Sequence, residues 1–132
     1  MAVGIEIHYL GWSVVLGVAQ LLLAGMLVTR QRGVEWNTGP RDADPGPLPP
    51  RAGRADRAFR NFMETFPFFA AAVLAVVATG QADAWTALGV QLYFWARVVY
   101  VPLYVYGVRY LRSLAWGVSM AGLLLVLLPL LR

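Results

Sequence analysis

The sequence predicts an all-α membrane protein built as a single four-transmembrane-helix bundle. Of its 132 residues, 59% are hydrophobic and only 14% charged, which is too apolar for a soluble domain of this size. Mean hydropathy is +0.60. Four apolar stretches stand apart, giving helices expected at about 7–29, 56–79, 84–110 and 113–131, each near the ~20 residues that a bilayer-spanning helix needs. The third observation is charge placement. Every basic residue is arginine, and Arg30, Arg32, Arg41, Arg51, Arg54 and Arg57 flank or occupy the first connection, while Arg109 and Arg112 mark the third. The second connection, 79–83, has none. The positive-inside rule then puts the first and third connections in the cytoplasm and both termini on the other side.

The first helix is apolar all round, and its small residues Gly11, Gly17, Ala24 and Gly25 permit close helix approach. Glu6, at its outer end, is expected to be solvated. The stretch is too long for a signal peptide and lacks a small-residue cleavage pattern, so it is read as retained. The connection over about 30–55 is rich in Pro, Gly and Arg; a connection of this length is expected to be a lid, a binding loop or a linker. Asp56 is a candidate cap for the second helix, although a start a few residues earlier is equally compatible. Pro67 lies well inside that helix and should bend it.

The third helix carries Arg97 near its middle, with Tyr100 and Tyr104 at i+3 and i+7 on the same face. Pro102 gives it a second expected bend. A short connection, Gly107 to Ser113, makes helices three and four antiparallel neighbours. The fourth helix, from Leu114, has almost no polar residues and is assigned to packing and lipid contact, with Ser113 as the simplest cap.

Composition also excludes classes. With no cysteine, disulfides, thiolate metal sites and a cysteine nucleophile are out. His8 is the only histidine and is read as an interfacial residue; no metal site is expected. The net charge of +4 reports membrane topology rather than nucleic-acid binding, because the arginines sit at helix ends. The chain shows no internal repeat, which weighs against an inverted-repeat transporter.

The most informative run is R-A-F-R-N-F-M-E-T-F-P. Arg57, Asn61 and Glu64 fall at i, i+4 and i+7 with Arg60 beside them, so a polar strip enters a segment that then becomes wholly apolar. Ionisable groups at membrane depth need partners or water and are functional candidates by default. Plainer readings stand beside this one. Glu64 would serve equally as a structural ion pair with Arg60 or Arg97. Arg109 and Arg112 would serve as topology determinants, and Tyr100 and Tyr104 as core aromatics.

The pattern R-A-F-R-N-F-M-E-T-F-P-F-F (Arg57–Phe69), followed by A-R-V-V-Y-V-P-L-Y (Ala96–Tyr104) and L-R-S (Leu111–Ser113), resembles the membrane-associated proteins in eicosanoid and glutathione metabolism, the MAPEG family. That family includes microsomal glutathione transferases, leukotriene C4 synthase and microsomal prostaglandin E synthase. The resemblance covers all four helices and implies a homotrimer with glutathione, as cosubstrate, bound between subunits near the cytoplasmic face. It implies that Arg57, Arg60, Asn61, Glu64, Arg97, Tyr100 and Tyr104 hold the tripeptide. Arg112 is similar to the arginine that stabilises the thiolate, and Ser113 to a neighbouring serine implicated in catalysis. Trp116 departs from the family pattern, where some members have a tyrosine, and the first-helix arginine corresponds to Arg30 or Arg32.

The chemistry is coherent on its own terms. Glutathione carries two carboxylates, an ammonium and a thiol, so its site needs cationic donors, one carboxylate and a group that favours thiolate. Arginine suits carboxylates because its planar fork binds both oxygens. The expected function is a membrane glutathione-dependent transferase, with peroxidase activity as an extension, that joins the glutathione thiolate to hydrophobic electrophiles; the expected partners are further copies of the chain, the membrane lipids and a lipophilic small-molecule substrate. The alternatives are a non-catalytic lipid-binding or scaffold protein on the same fold and, less favoured, a small transporter subunit. Compactness and arginine bias suggest a prokaryotic inner membrane.

Overall fold

A computed structural model describes residues 3–132, and the protein is an all-α four-helix bundle. Helix α1 spans Ile5–Arg32, a short α2 covers Val34–Thr38, and α3, α4 and α5 span Pro50–Ala78, Ala84–Val105 and Arg109–Leu131. The four long helices are each apolar and long enough to cross a membrane, and the chain is a multi-pass integral membrane protein. Large side chains such as Leu22, Phe68 and Leu124 point outward, as suits a lipid-facing surface.

At 28 residues, α1 is about 42 Å long, so its arginine-bearing end extends beyond a hydrocarbon core of ~30 Å. Helix α3 starts earlier than Asp56. Pro50 occupies its first turn, where a missing N–H costs nothing. Asp56 is therefore inside the helix, and its carboxylate pairs with Arg60 at 3.1 Å. The first connection is correspondingly shorter: α2 takes part of it and α3 another. Helices α3 and α4 run through Pro67 and Pro102 respectively.

Both ends at the junctions are built by identifiable caps. After α4, Gly107 has φ 72°, the Val108 N–H donates to the Leu103 carbonyl at 2.8 Å, and the Gly107 N–H donates to Tyr104 at 3.0 Å. This Schellman arrangement needs a left-handed residue at Gly107 and turns the chain sharply into α5. Because α5 begins at Arg109, Ser113 lies inside the helix and does not cap it. At the start of α4, the Asp83 carboxylate accepts from the backbone N–H groups of Trp85 and Thr86, both at 2.9 Å, while the Asp83 N–H donates to Thr86 Oγ1 at 2.8 Å, a reciprocal capping box.

Glu6 is buried rather than solvated. Its carboxylate accepts a hydrogen bond from Thr86 Oγ1 at 2.8 Å, which supplies the partner that a carboxylate at that depth requires. Arg132 pairs with Asp83 at 2.8 Å. These two contacts bring the first turn of α1, Arg132 and the 79–83 connection to one end of the bundle, opposite the α1–α3 and α4–α5 connections.

The core centres on Phe62, Phe69 and Val73 of α3, Val90 and Tyr93 of α4, and Val126 of α5, all essentially inaccessible. Phe69 and Tyr93 stack with ring centroids 3.9 Å apart, and the Tyr93 hydroxyl finds Thr65 Oγ1 at 3.0 Å, satisfying its polar end. Two seams of small residues set the helix spacing. Gly17 of α1 faces the Phe62 ring, and Gly89 and Gly122 face each other across α4 and α5.

Candidate functional site

The 3.6-residue period puts Tyr93, Arg97, Tyr100 and Tyr104 on one stripe of α4. Ala58, Asn61, Phe62 and Thr65 form the facing surface of α3. Arg97 is 1% exposed, and its Nη1 donates to Asn61 Oδ1 at 2.9 Å. Its guanidinium lies 4.3 Å from the Tyr100 ring centroid and 5.6 Å from that of Phe62. Nε and Nη2 of Arg97 are buried without hydrogen-bond partners. This cation sits about 12 Å from the end of α4, held by one amide and two aromatic faces. No carboxylate is within ion-pair distance of it among the described residues.

Toward the arginine-rich end, this stripe opens into a cleft of about 270 Å³ lined by Asn61, Tyr100, Tyr104, Arg112, Ser113 and Trp116. The Schellman turn after α4 determines its shape. By reversing the chain within three residues, it sets the first turn of α5 against the last turn of α4. The Arg112 guanidinium then lies 4.7 Å from the Tyr104 ring centroid. Tyr100 and Tyr104 meet edge to face at 5.6 Å.

Five sequence-predicted residues, Asn61, Tyr100, Tyr104, Arg112 and Ser113, thus line one cleft, and Arg97 stands directly behind it. The others lie elsewhere on α3. Arg57 and Glu64 are exposed, and Glu64 pairs with neither Arg60 nor Arg97. Arg60 pairs with Asp56 and turns to a separate cleft against α1. Trp116, the departure from the family pattern, is a wall of the first cleft.

Two contacts escaped sequence reasoning. Arg54 lies against Gly107, where an added Cβ would come within 3.0 Å of its Nη1, and Arg51 sits 5.6 Å from the Tyr106 ring. The first turns of α3 therefore brace the turn that positions Arg112. The i, i+3 spacing of Arg51 and Arg54 held that signal once the helix was begun at Pro50.

A buried guanidinium with two unpaired nitrogens beside a polar cleft makes a sharp prediction. Replacing Arg97 with leucine removes a charge whose burial costs several kcal/mol, so the thermal midpoint should hold or rise. The same change removes donors worth about 1.5–3 kcal/mol to an anionic ligand, weakening its binding on the order of ten- to a hundredfold. Thermal melts and ligand titration on one preparation check both halves; a fall in stability with unchanged binding would make Arg97 a structural residue only.

A membrane four-helix bundle with an arginine–tyrosine cleft at the end of its third and fourth spans defines the class of protein. The chain matches the family model of the MAPEG family over residues 9–131, nearly its whole length, and belongs to that family. Membership puts it among membrane proteins of glutathione and eicosanoid metabolism. No curated protein and no solved structure matches it.

Proposed function

We propose that this chain is a membrane-embedded, glutathione-dependent transferase that joins the glutathione thiolate to hydrophobic electrophiles. The observation that carries the reading is the Arg112 cleft, which gathers a guanidinium, two phenols, an amide and a hydroxyl. Behind it, Arg97 has two buried guanidinium nitrogens unpaired. An anionic ligand with a thiol answers both the charge and the unused donors.

In this reading Arg112 faces the sulfur and favours its deprotonation, while the Ser113 hydroxyl donates to the thiolate. Asn61, Tyr100 and Tyr104 orient the peptide, and Arg97 positions Asn61 and offers its free N–H groups. Arg57 and Glu64 supply a carboxylate-binding cation and an ammonium-binding anion on the open side of α3. Arg60 stays with Asp56. The thiol proton leaves to water, the sulfur lone pair forms a bond to the electrophilic carbon, and the displaced group departs with its electron pair. The acceptor enters from the bilayer.

At about 270 Å³, the cleft in one chain is at the small end of ligand pockets, which run to about 300–1,000 Å³. A homotrimer, with a neighbouring copy closing the open side, supplies the remaining wall in this proposal.

Titrating glutathione into the detergent-purified protein, followed by conjugation to an aryl halide, tests the reading. Saturable binding and turnover are expected, and Arg112→Ala and Glu64→Ala should each weaken binding. A parent protein that binds no glutathione sinks the proposal. Binding without turnover would favour a non-catalytic lipid-binding protein on the same fold, and binding that survives both substitutions would move the site elsewhere.

A further inference from the structure

A second cleft, of about 450 Å³, lies between the arginine-bearing end of α1, the short α2 and the start of α3. It shares no lining residue with the Arg112 cleft. Three guanidiniums border it, those of Arg32, Arg41 and Arg60, against a single carboxylate, Asp56. That carboxylate is taken by Arg60. The other two arginines are held by neutral acceptors, and among the described residues neither has a carboxylate within ion-pair distance. Arg32 Nη2 donates to the Gly46 carbonyl at 2.9 Å, and Arg41 donates to the Asn37 carbonyl and side chain.

Both of these guanidiniums lie over the Trp36 ring, at 4.7 and 5.3 Å, and the Trp36 Nε1 is buried with no partner. Arg41 has φ 59°, a left-handed conformation that a residue with a long side chain rarely adopts. Such strain persists only where surrounding structure over-determines it. Here it holds a cation at the mouth of the cleft.

The floor is of the opposite character. Leu21, Gly25 and Val28 form one stripe of α1 leading up to Arg32, and Phe59 closes the α3 side. From Leu21 to Arg32 the stripe runs about 16 Å along the helix, from the apolar span to its charged end. Gly25 is decisive for the shape, because a Cβ there would meet nothing within 4 Å; the cleft is open where a side chain would otherwise lie.

We infer that this cleft is a binding site for an anionic phospholipid, with the phosphate at Arg32, Arg41 and the Trp36 N–H and an acyl chain along Leu21, Gly25 and Val28. A free phosphate shares the headgroup chemistry but has no use for a 16 Å apolar floor at membrane depth, and the guanidinium cluster matches the charge of acidic headgroups. None of these residues lines the Arg112 cleft, and lipid retention is read in the absence of glutathione, so its outcome is separate from that of the glutathione titration.

Native mass spectrometry of the intact protein, exchanged into micelles containing phosphatidylglycerol or phosphatidylcholine with the same chains, tests it. Retention of phosphatidylglycerol should exceed that of phosphatidylcholine on the order of tenfold or more, given about fivefold for each arginine at an acidic headgroup. The Arg32→Gln/Arg41→Gln pair should erase that preference. Gly25→Leu, which puts a side chain where an added Cβ would meet nothing within 4 Å, should lower retention with the arginines intact. Arg41→Gln alone, in an exposed segment, provides a second readout if the pair fails to fold. Equal retention of the two lipids, or a preference unmoved by these variants, overturns the inference. Displacement by millimolar inorganic phosphate overturns it too, assigning the site to the free anion.

Discussion

Arg112→Ala is expected to lower glutathione conjugation at neutral pH by about two orders of magnitude and to move the pH–rate profile upward. An elementary estimate sets the scale. A full charge about 5 Å from sulfur, at an effective dielectric constant near 20, interacts with a thiolate by about 3 kcal/mol. That corresponds to roughly two pKa units. A thiol with an ordinary pKa near 8.5 is only a few per cent thiolate at pH 7, whereas one lowered by two units is mostly ionised.

Loss of thiolate alone therefore accounts for about thirtyfold, and loss of a preorganised cation in the transition state accounts for the remainder. The sign is fixed by charge. Arg112 favours the anion, so its reactive form is present above a lowered pKa, and removing it shifts that threshold up. At pH 9 and above, the variant should regain most of the thirtyfold. Arg112→Lys keeps a charge but loses the guanidinium that lies over the Tyr104 ring at 4.7 Å, and should fall between. A slow Arg112→Ala with the parental pH profile would show that the residue positions the peptide and leaves the thiol alone.

The four spans were legible because a ~20-residue apolar run has few other uses. The face carrying Arg97, Tyr100 and Tyr104 was legible for an equally simple reason: a 3.6-residue period puts them together whatever surrounds them. Asn61 belongs to the same logic, since a polar residue facing that stripe meets Arg97. Hydropathy was silent where helices outlast their apolar part. The arginine-rich turns from Pro50 and the polar turn from Arg109 are helical without being hydrophobic, which is why Asp56 and Ser113 read as caps.

Arg60 shows a different blind spot. It follows Phe59 and precedes Asn61, yet one residue is a 100° rotation on a helix, enough to carry it to the α1 side. There Asp56, four residues earlier, forms a favourable i, i+4 pair with it. Glu6 was misread because its partner, Thr86, is 80 positions away in sequence. No local pattern announces such a contact. Glu6 is a charge whose partner is set by packing between helices, which is the information a single helix's periodicity lacks, whereas the Asp56–Arg60 pair is local and was hidden because Asp56 read as a cap.

The largest structural effect is expected at Gly122, where alanine should destabilise the bundle by about 3 kcal/mol, at the upper end of overpacking costs. A Cβ at Gly122 would lie 2.6 Å from the Gly89 carbonyl oxygen and 2.7 Å from the Tyr93 amide nitrogen. Those atoms belong to backbone, so relief requires that α4 and α5 move apart as whole helices. In a membrane, close backbone approach through small residues is itself a main source of helix association, and the separation loses it along the most extensive helix contact in the protein. Gly117, on the same helix, has nothing within 4 Å of an added Cβ; Gly117→Ala should be neutral or stabilising. The consequence reaches the cleft. The distance between α4 and α5 sets how Tyr104 meets Arg112, so Gly122→Ala protein that still folds should bind glutathione more weakly, without any change in a lining residue. Thermal melts in detergent, paired with glutathione titration, distinguish the outcomes: a Gly122→Ala variant as stable as Gly117→Ala would mean that the glycine seam does not hold these helices together.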